Sequence, residues 1–165
     1  MASDYFLQLD GIIGECSEAD HVEWMRLLDW NHKFEQVATS DWREATGPTK
    51  GKVDHGDFAF TKFLDTATDQ ILKKLWLGGI IPMATFHACR ADGDGNPVVY
   101  LMIEMTEVIV SNYSIDGAEG GDIPRESIEL SYGKLTYTYT PQDKVTGQAG
   151  APRPVSHDLK DDNVA

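Results

Sequence analysis

His87 and Cys89 stand two residues apart in a stretch, Met83 to Ala91, that reads as a strand, so both side chains are expected on one face. A thiolate–imidazole pair at that spacing would be a nucleophile. It would also need a third group to orient the imidazole and donors for an oxyanion, and no neighbouring residue supplies either. The thiol therefore reads as a small packing group in a half-buried strand. Asp92, Asp94 and Asn96 imitate the opening of a calcium loop, but Pro97 stands at the sixth position, where glycine is needed, and Ile103 at the twelfth, where a bidentate Glu belongs. Asp, Gly and Asn in that order make a hairpin turn. The histidines (His21, His32, His55, His87, His157) show no ligand spacing, and Asp161 and Asp162 fall in a polar tail. With no phosphate loop, nucleophile elbow or dinucleotide fingerprint, the expectation is no catalytic residue, no metal and no cofactor.

The elements that carry these residues are mostly strands. Tyr5, Leu7 and Leu9 alternate with Phe6, Gln8 and Asp10 in a strand stopped by Gly11. From Val22 to Gln36 two periods compete. At period two, Val22, Trp24, Leu28, Trp30 and Phe34 share a face opposite Asp29, Asn31, Lys33 and Glu35. At period 3.6, Trp24, Leu27, Leu28 and Phe34 form a helical stripe. Residues 37–56 are polar, carry Gly47, Pro48, Gly51 and Gly56, and read as one extended loop. A strand follows from Asp57 to Leu64.

Thr68 to Leu77 is the expected helix, capped by Thr66 or Thr68, with Ile71, Leu72, Leu75 and Trp76 on its apolar face and Gly78 as its stop. Met83 to Ala91 and Val98 to Met105 form a hairpin through Asp92 to Pro97, and Thr106 to Ile115 continues the second strand. In the last strand, Glu126 to Thr140, apolar residues change parity around Gly133, which reads as a β-bulge. Residues 142–165 read as a C-terminal extension of a single domain spanning 1–165.

Charge narrows the partners. Lys and Arg total 14 against 27 Asp and Glu, a net charge of −13, and no basic cluster offers a footprint for nucleic acid or an anionic membrane. Copies of so acidic a chain repel one another, so self-assembly would need apolar area and backbone pairing. Cys16 and Cys89 form no CxxC. Met1 to Asp10 lacks the basic and apolar regions of a secretory signal, and the apolar run Leu75 to Phe86 is broken by Gly78, Gly79 and Pro82. The chain is expected to be made in the cytoplasm and, if exported, to leave without a cleaved signal.

Five stretches in order resemble the haemolysin-coregulated protein (Hcp) family, the tube subunit of bacterial type VI secretion systems. They are Asp4 to Asp10 with Gly14, Glu15 and His21; Leu27-Leu28-Asp29-Trp30; Phe60 to Asp65 leading into the helix; Tyr100 to Ile103 through Val108 to Asn112; and Glu126 to Ile128 through Tyr139 to Gln142. Asn31 and His32 depart from the family's usual Ser and aromatic, and Asp29 adds a charge.

The resemblance favours strand over helix for Val22 to Gln36. It implies a mainly β (α+β) fold, an antiparallel β-barrel or sandwich with one short helix. It also implies a homohexameric ring that closes head-to-tail, stacks into a tube and carries effector proteins in its lumen. A spike protein (VgrG-like), a contractile sheath and baseplate components would be further partners. On this resemblance Asp29, Asn31 and Lys33 line the lumen, and Asp41, Trp42, Arg43, Glu44, Pro48 and Lys50 belong to the loop that joins rings. A contractile phage tail-tube protein and a monomeric ligand-binding barrel are the alternatives.

Overall fold

A computed structural model of the chain describes residues 2–38 and 50–165, with the side chains of all but 37, 38 and 50–52. Strand β1 (Asp4–Leu9) pairs antiparallel with β2 (Met25–Leu27) on one side and β7 (Ile81–Ala91) on the other. After β2 the chain passes through Leu28 into β3 (Asp29–Asn31), which pairs instead with β6 (Phe58–Phe63). Strand β8 (Pro97–Asp116) runs 20 residues and belongs to both sheets. Its first half pairs with β7 and β10 (Lys134–Tyr139), its second half with β9 (Arg125–Ser131), which lies against β6. Beyond β10 come β11 (Arg153–Asp158) and the two-residue β12 (Asn163–Val164). Strands β4 (Phe34–Ala38) and β5 (Lys50–His55) form a separate two-stranded arm.

The core fills the space between the two sheets. Leu7, Leu9, Met25, Phe58, Phe86, Ile103, Met105, Ile128 and Leu130 are all essentially buried. Trp30 lies between Tyr5, Phe58 and Phe86 at ring-centroid distances of 4.8 to 6.3 Å. The helix α1 (Thr68–Leu77) ends on Gly78 at φ 64°, the left-handed stop its sequence requires. Neither threonine caps its start. The Asp65 carboxylate accepts the Ala67 N–H at 2.9 Å, and the Thr68 hydroxyl accepts from the Asp65 N–H at 3.3 Å. Ile71 is buried and Leu75 packs on the core, but Trp76 is 77% exposed and so lies off the packed face.

Four sequence expectations are corrected by topology. The single apolar face over 22–36 does not form: Met25 and Leu27 are buried, while Val22, Leu28 and Phe34 are exposed. The parity changes because the chain leaves one sheet for the other at Leu28. The parity change at Gly133 is likewise a transfer between sheets, from β9 to β10, and not a bulge within one strand. A Cβ on Gly133 would stand 2.7 Å from a carboxylate oxygen of Glu107, the flexible end of an exposed side chain that would have to move aside. The loop expected over 37–56 is in part strand, because Phe34↔His55 and Glu35↔Asp54 hold cross-strand register. The extension 142–165 is in part sheet, with β11 adding to β10 and β12 to β11.

Candidate functional site

The sheet β3-β6-β9-β8 has two unlike faces, because each strand alternates large apolar residues with small or polar ones. Trp30, Phe60, Ile128 and Tyr113 align on the inner face. On the outer face the same register produces two rows across four strands: Asn31·Ala59·Glu129·Asn112 and Asp29·Thr61·Ser127·Ser114. Asp29, Asn31, Asn112, Ser114 and Ser127 are exposed, and Glu129 is half-buried. These side chains line one shallow hollow. Its chemistry is that of a polar contact surface, rich in hydroxyls, amides and carboxylates.

Behind the rows an ion pair fixes the register of β6 against β9. Lys62 and Glu126 face each other across the ladder, both 0% exposed, with Nζ 2.5 Å from Oε2. Lys62 also bonds the Asp65 carboxylate at 2.7 Å and the Phe63 carbonyl at 3.2 Å, and the Tyr113 hydroxyl donates to Glu126 Oε1 at 2.7 Å. A one-residue slip of either strand would leave two desolvated charges apart, so the cluster selects the pairing that aligns the outer rows.

The expected lumen residues divide. Asp29 and Asn31 share the outer face. Lys33 lies beyond the end of β3 at the root of the arm, exposed and ion-paired with Glu35, and its carbonyl accepts the Gly56 N–H at 2.8 Å. Of the expected ring-joining residues, Asp41, Trp42, Arg43, Glu44 and Pro48 lie outside the described residues, and Lys50 opens β5. Sequence reasoning did not identify Thr61, Ser114, Ser127, Asn112 or Glu129. The alternation in β6 and β9 marks them as outward-facing, but only the strand pairing brings them beside Asp29 and Asn31.

The weighed reactive groups resolve otherwise. His87 and Cys89 share a face as expected: β7 keeps unbroken register with β1 from Leu9↔Ala84 to Asp4↔Cys89, Ala88 joins the core on the opposite side, and the shift between Ala88 and Cys89 is in the pairing with β8. Burial pushes the Cys89 thiol up to about 11, aided by Glu18, Asp4 and Asp20, which keeps it protonated at neutral pH. His87 Nδ1 lies 2.9 Å from His21 Nε2, and His21 Nδ1 lies 2.5 Å from a Glu18 carboxylate oxygen. Burial first, and His21 second, lower His87 to about 4. The Asp92 carboxylate accepts the backbone N–H groups of Asp94 and Asn96 at 2.9 and 2.8 Å, the Asx turn of a hairpin.

A second imidazole cluster sits at the arm's root, unannounced by any spacing in the sequence. Tyr137, His32, Tyr132, His55, His157 and Asp162 form one continuous chain of contacts between 2.5 and 3.0 Å. They come from β10, the β3–β4 connection, the β9–β10 corner, β5, β11 and the turn before β12. Among the described residues no group of three or more His, Cys, Asp or Glu is arranged to hold a metal ion, and no helix is long and apolar enough to cross a membrane.

Comparison with known proteins agrees with this architecture. A family model described as "Type VI secretion system effector, Hcp" matches residues 6–139. Protein hcp1 of Pseudomonas aeruginosa is 30% identical over 152 residues, covering 92% of each chain. A solved type six secretion system protein superposes with a TM-score of 0.91 at 28% identity, over 99% of this chain and 100% of that one. Hcp1 from Salmonella typhimurium does so with a TM-score of 0.81 at 28% identity, over the whole of both chains. With its sheets, its helix and most of its length matched, the chain belongs to the Hcp family of type VI secretion proteins.

Proposed function

We propose that the chain is the subunit of a type VI secretion inner tube. Six copies close head-to-tail into a ring, rings stack into a hollow tube, and effector proteins travel in its lumen. One observation carries this reading: β3-β6-β9-β8 commits one face to the core and leaves the other as two aligned polar rows. A lumen that holds folded cargo and then releases it calls for hydrated, small polar side chains rather than an apolar trap. Asp29 and Asn31 contact effectors on this reading, with Thr61, Ser127, Ser114 and Asn112 beside them.

A heterologous interface closes a ring when its rotation permits. Exposed apolar side chains away from the polar rows, among them Trp76, Leu77 and Ile80, supply area that contacts between such acidic copies need. The β4–β5 arm, with residues 39–49 between its strands, is the segment that would bridge rings. The tube would engage a VgrG-like spike protein, the contractile sheath and the baseplate. It would be made in the bacterial cytoplasm and released to the exterior or a target cell. The reading as a monomeric ligand-binding barrel has less support, since Phe58, Phe60 and Phe86 fill the interior such a ligand would need.

Light scattering at neutral pH tests the ring: six protomer masses are expected, and a single protomer mass at high concentration and high salt refutes the proposal. Deleting residues 41–50 should leave six-copy rings that do not stack. Tubes of the deletion variant in electron micrographs would show that the arm does not join rings.

A further inference from the structure

The root of the β4–β5 arm is tied to the body of the protein through side chains that titrate. His32 lies between β3 and β4, and His55 ends β5, so the two flank the arm. Tyr132 stands at the corner between β9 and β10, Tyr137 on β10, and His157 on β11. The distances run 2.5 Å from Tyr137 to His32 Nδ1, 2.7 Å from His32 Nε2 to Tyr132, 3.0 Å from Tyr132 to His55 Nδ1, 2.8 Å from His55 Nε2 to His157 Nδ1, and 3.0 Å from His157 Nε2 to Asp162.

The protons in this chain have one consistent order. An ionised carboxylate only accepts, so Asp162 requires hydrogen on His157 Nε2. A neutral His157 then has a bare Nδ1 that accepts from His55 Nε2–H. His55 Nδ1, bare in turn, accepts the Tyr132 hydroxyl proton. The Tyr132 oxygen accepts from His32 Nε2–H, and His32 Nδ1 accepts from Tyr137. With all three imidazoles neutral and carrying hydrogen on Nε2, every donor meets an acceptor. Burial pushes both phenols up, so they remain protonated donors.

One added proton can be housed. If His157 takes it on Nδ1, His55 changes tautomer and Tyr132 turns its hydroxyl to the Gly56 carbonyl, 3.3 Å away. A second proton on His55 Nε2 faces the His157 Nδ1–H donor to donor, and one on His32 Nδ1, accepted by the Tyr137 oxygen, puts a second positive charge into the same buried cluster. We infer that His32, His55 and His157 form an acid-sensitive latch that fixes the root of the β4–β5 arm to the β10–β11 sheet and lets it go on double protonation.

The groups around the latch do not cancel this response. Burial holds His32 down to about 4, assisted by His55 and opposed by the Gly56 carbonyl and Asp57. Burial and then His157 hold His55 below its ordinary value, opposed by Asp54. Phe34 of β4 and Tyr137 of β10 bring aromatic rings to the same spot, and the Lys33–Glu35 ion pair is exposed and self-neutralised. Depressed values mean that the released arm binds more protons than the docked one. Docking is therefore complete above about pH 6.5 and weakens as pH falls towards 4.

Hydrogen exchange by mass spectrometry on the full chain, from pH 7.5 to 4.5 and corrected for intrinsic rates, tests the latch. Amides of β5 and β11 should lose at least tenfold more protection than those of β7 and β8, with a midpoint between these limits. In the H55Q/H157Q variant, whose side chains hydrogen-bond without titrating, that loss should vanish. Tyr132→Phe, which removes the central hydroxyl, should release β5 already at pH 7.5 while β7 and β8 stay protected. The inference is overturned if wild-type β5 and β11 keep their protection to pH 4.5. It is equally overturned if the double variant loses protection at the wild-type midpoint, or if Tyr132→Phe protects β5 as the wild type does.

Discussion

Removing Lys62 should harm the protein more than removing its partner Glu126, and the structure says why. Both side chains are wholly buried, so whichever remains after a substitution is a desolvated charge. In Glu126→Gln, Lys62 keeps the Asp65 carboxylate at 2.7 Å and the Phe63 carbonyl at 3.2 Å. In Lys62→Met, Glu126 keeps only the Tyr113 hydroxyl, a neutral donor at 2.7 Å. Breaking a buried pair costs about 3–5 kcal/mol, so Lys62→Met belongs near the top of that range and Glu126→Gln at or below its bottom. Replacing both, as K62M/E126L, removes the buried pair and leaves the Asp65 carboxylate, part-exposed and still accepting the Ala67 N–H, without its cation, so stability should return to within about 1–2 kcal/mol of the parent. Urea unfolding followed by tryptophan fluorescence measures each value. Repeating it at several protein concentrations separates folding from self-association, which stabilises by mass action. If Glu126→Gln costs as much as Lys62→Met, or the double variant costs the sum of the singles, the cluster does not hold the β6–β9 register by paired burial.

Three further outcomes follow from individual side chains. Asn31→Gln lengthens a side chain on the outer face without touching the core, so rings should assemble normally while co-purifying effector falls; an unchanged effector yield counts against the lumen assignment. Cys89, buried and held up to about 11, should react with iodoacetamide at pH 7.5 at least tenfold more slowly than a free thiol, and alkylation as fast as glutathione's would contradict its placement. His87, held down to about 4, is neutral in the fold and charged in the unfolded chain below about pH 6.5, so acid costs stability between those values. The slope is at most about 1.4 kcal/mol per pH unit, reduced by the ring's part exposure. His87→Gln should flatten that part of the stability–pH curve, and an unaltered slope would refute it.

What could be read in the sequence was whatever local chemistry decides. Thr68 to Leu77 is a helix at the expected limits because a glycine stop and an i, i+4 apolar pair suffice to place it. The β7–β8 hairpin was legible because Asp92 organises its own turn. The Val22 to Gln36 pattern failed as a single strand because Leu28 is where the chain changes sheets, and a periodicity argument assumes one sheet throughout. Gly133 misled in the same way. Strands β5 and β11 were missed since they bury little: Val53 and Val155 remain exposed, and pairing rather than an apolar stripe defines them. The alternation put Asp29, Asn31 and Lys33 on one face; the first two share the outer face of the sheet, whereas Lys33 lies at the arm's root because β3 ends at Asn31.

The histidines show a different limit. None lies at ligand spacing in the sequence, yet His21 meets His87 across 66 residues and His55 meets His157 across 102. Such pairs are products of topology, and each requires one ring to donate where the other accepts. No histidine stands in the two polar rows of β3-β6-β9-β8. Acid between about pH 6.5 and 4 therefore acts at the root of the arm through His32 and His55 and on β7 through His87, while the rows that would meet cargo hold no imidazole. The two functions proposed for this chain, carrying effectors and joining rings, are thus separable by chemistry: substitutions in the Tyr137-to-Asp162 chain should alter the arm and leave effector retention unchanged, and Asn31→Gln should do the reverse.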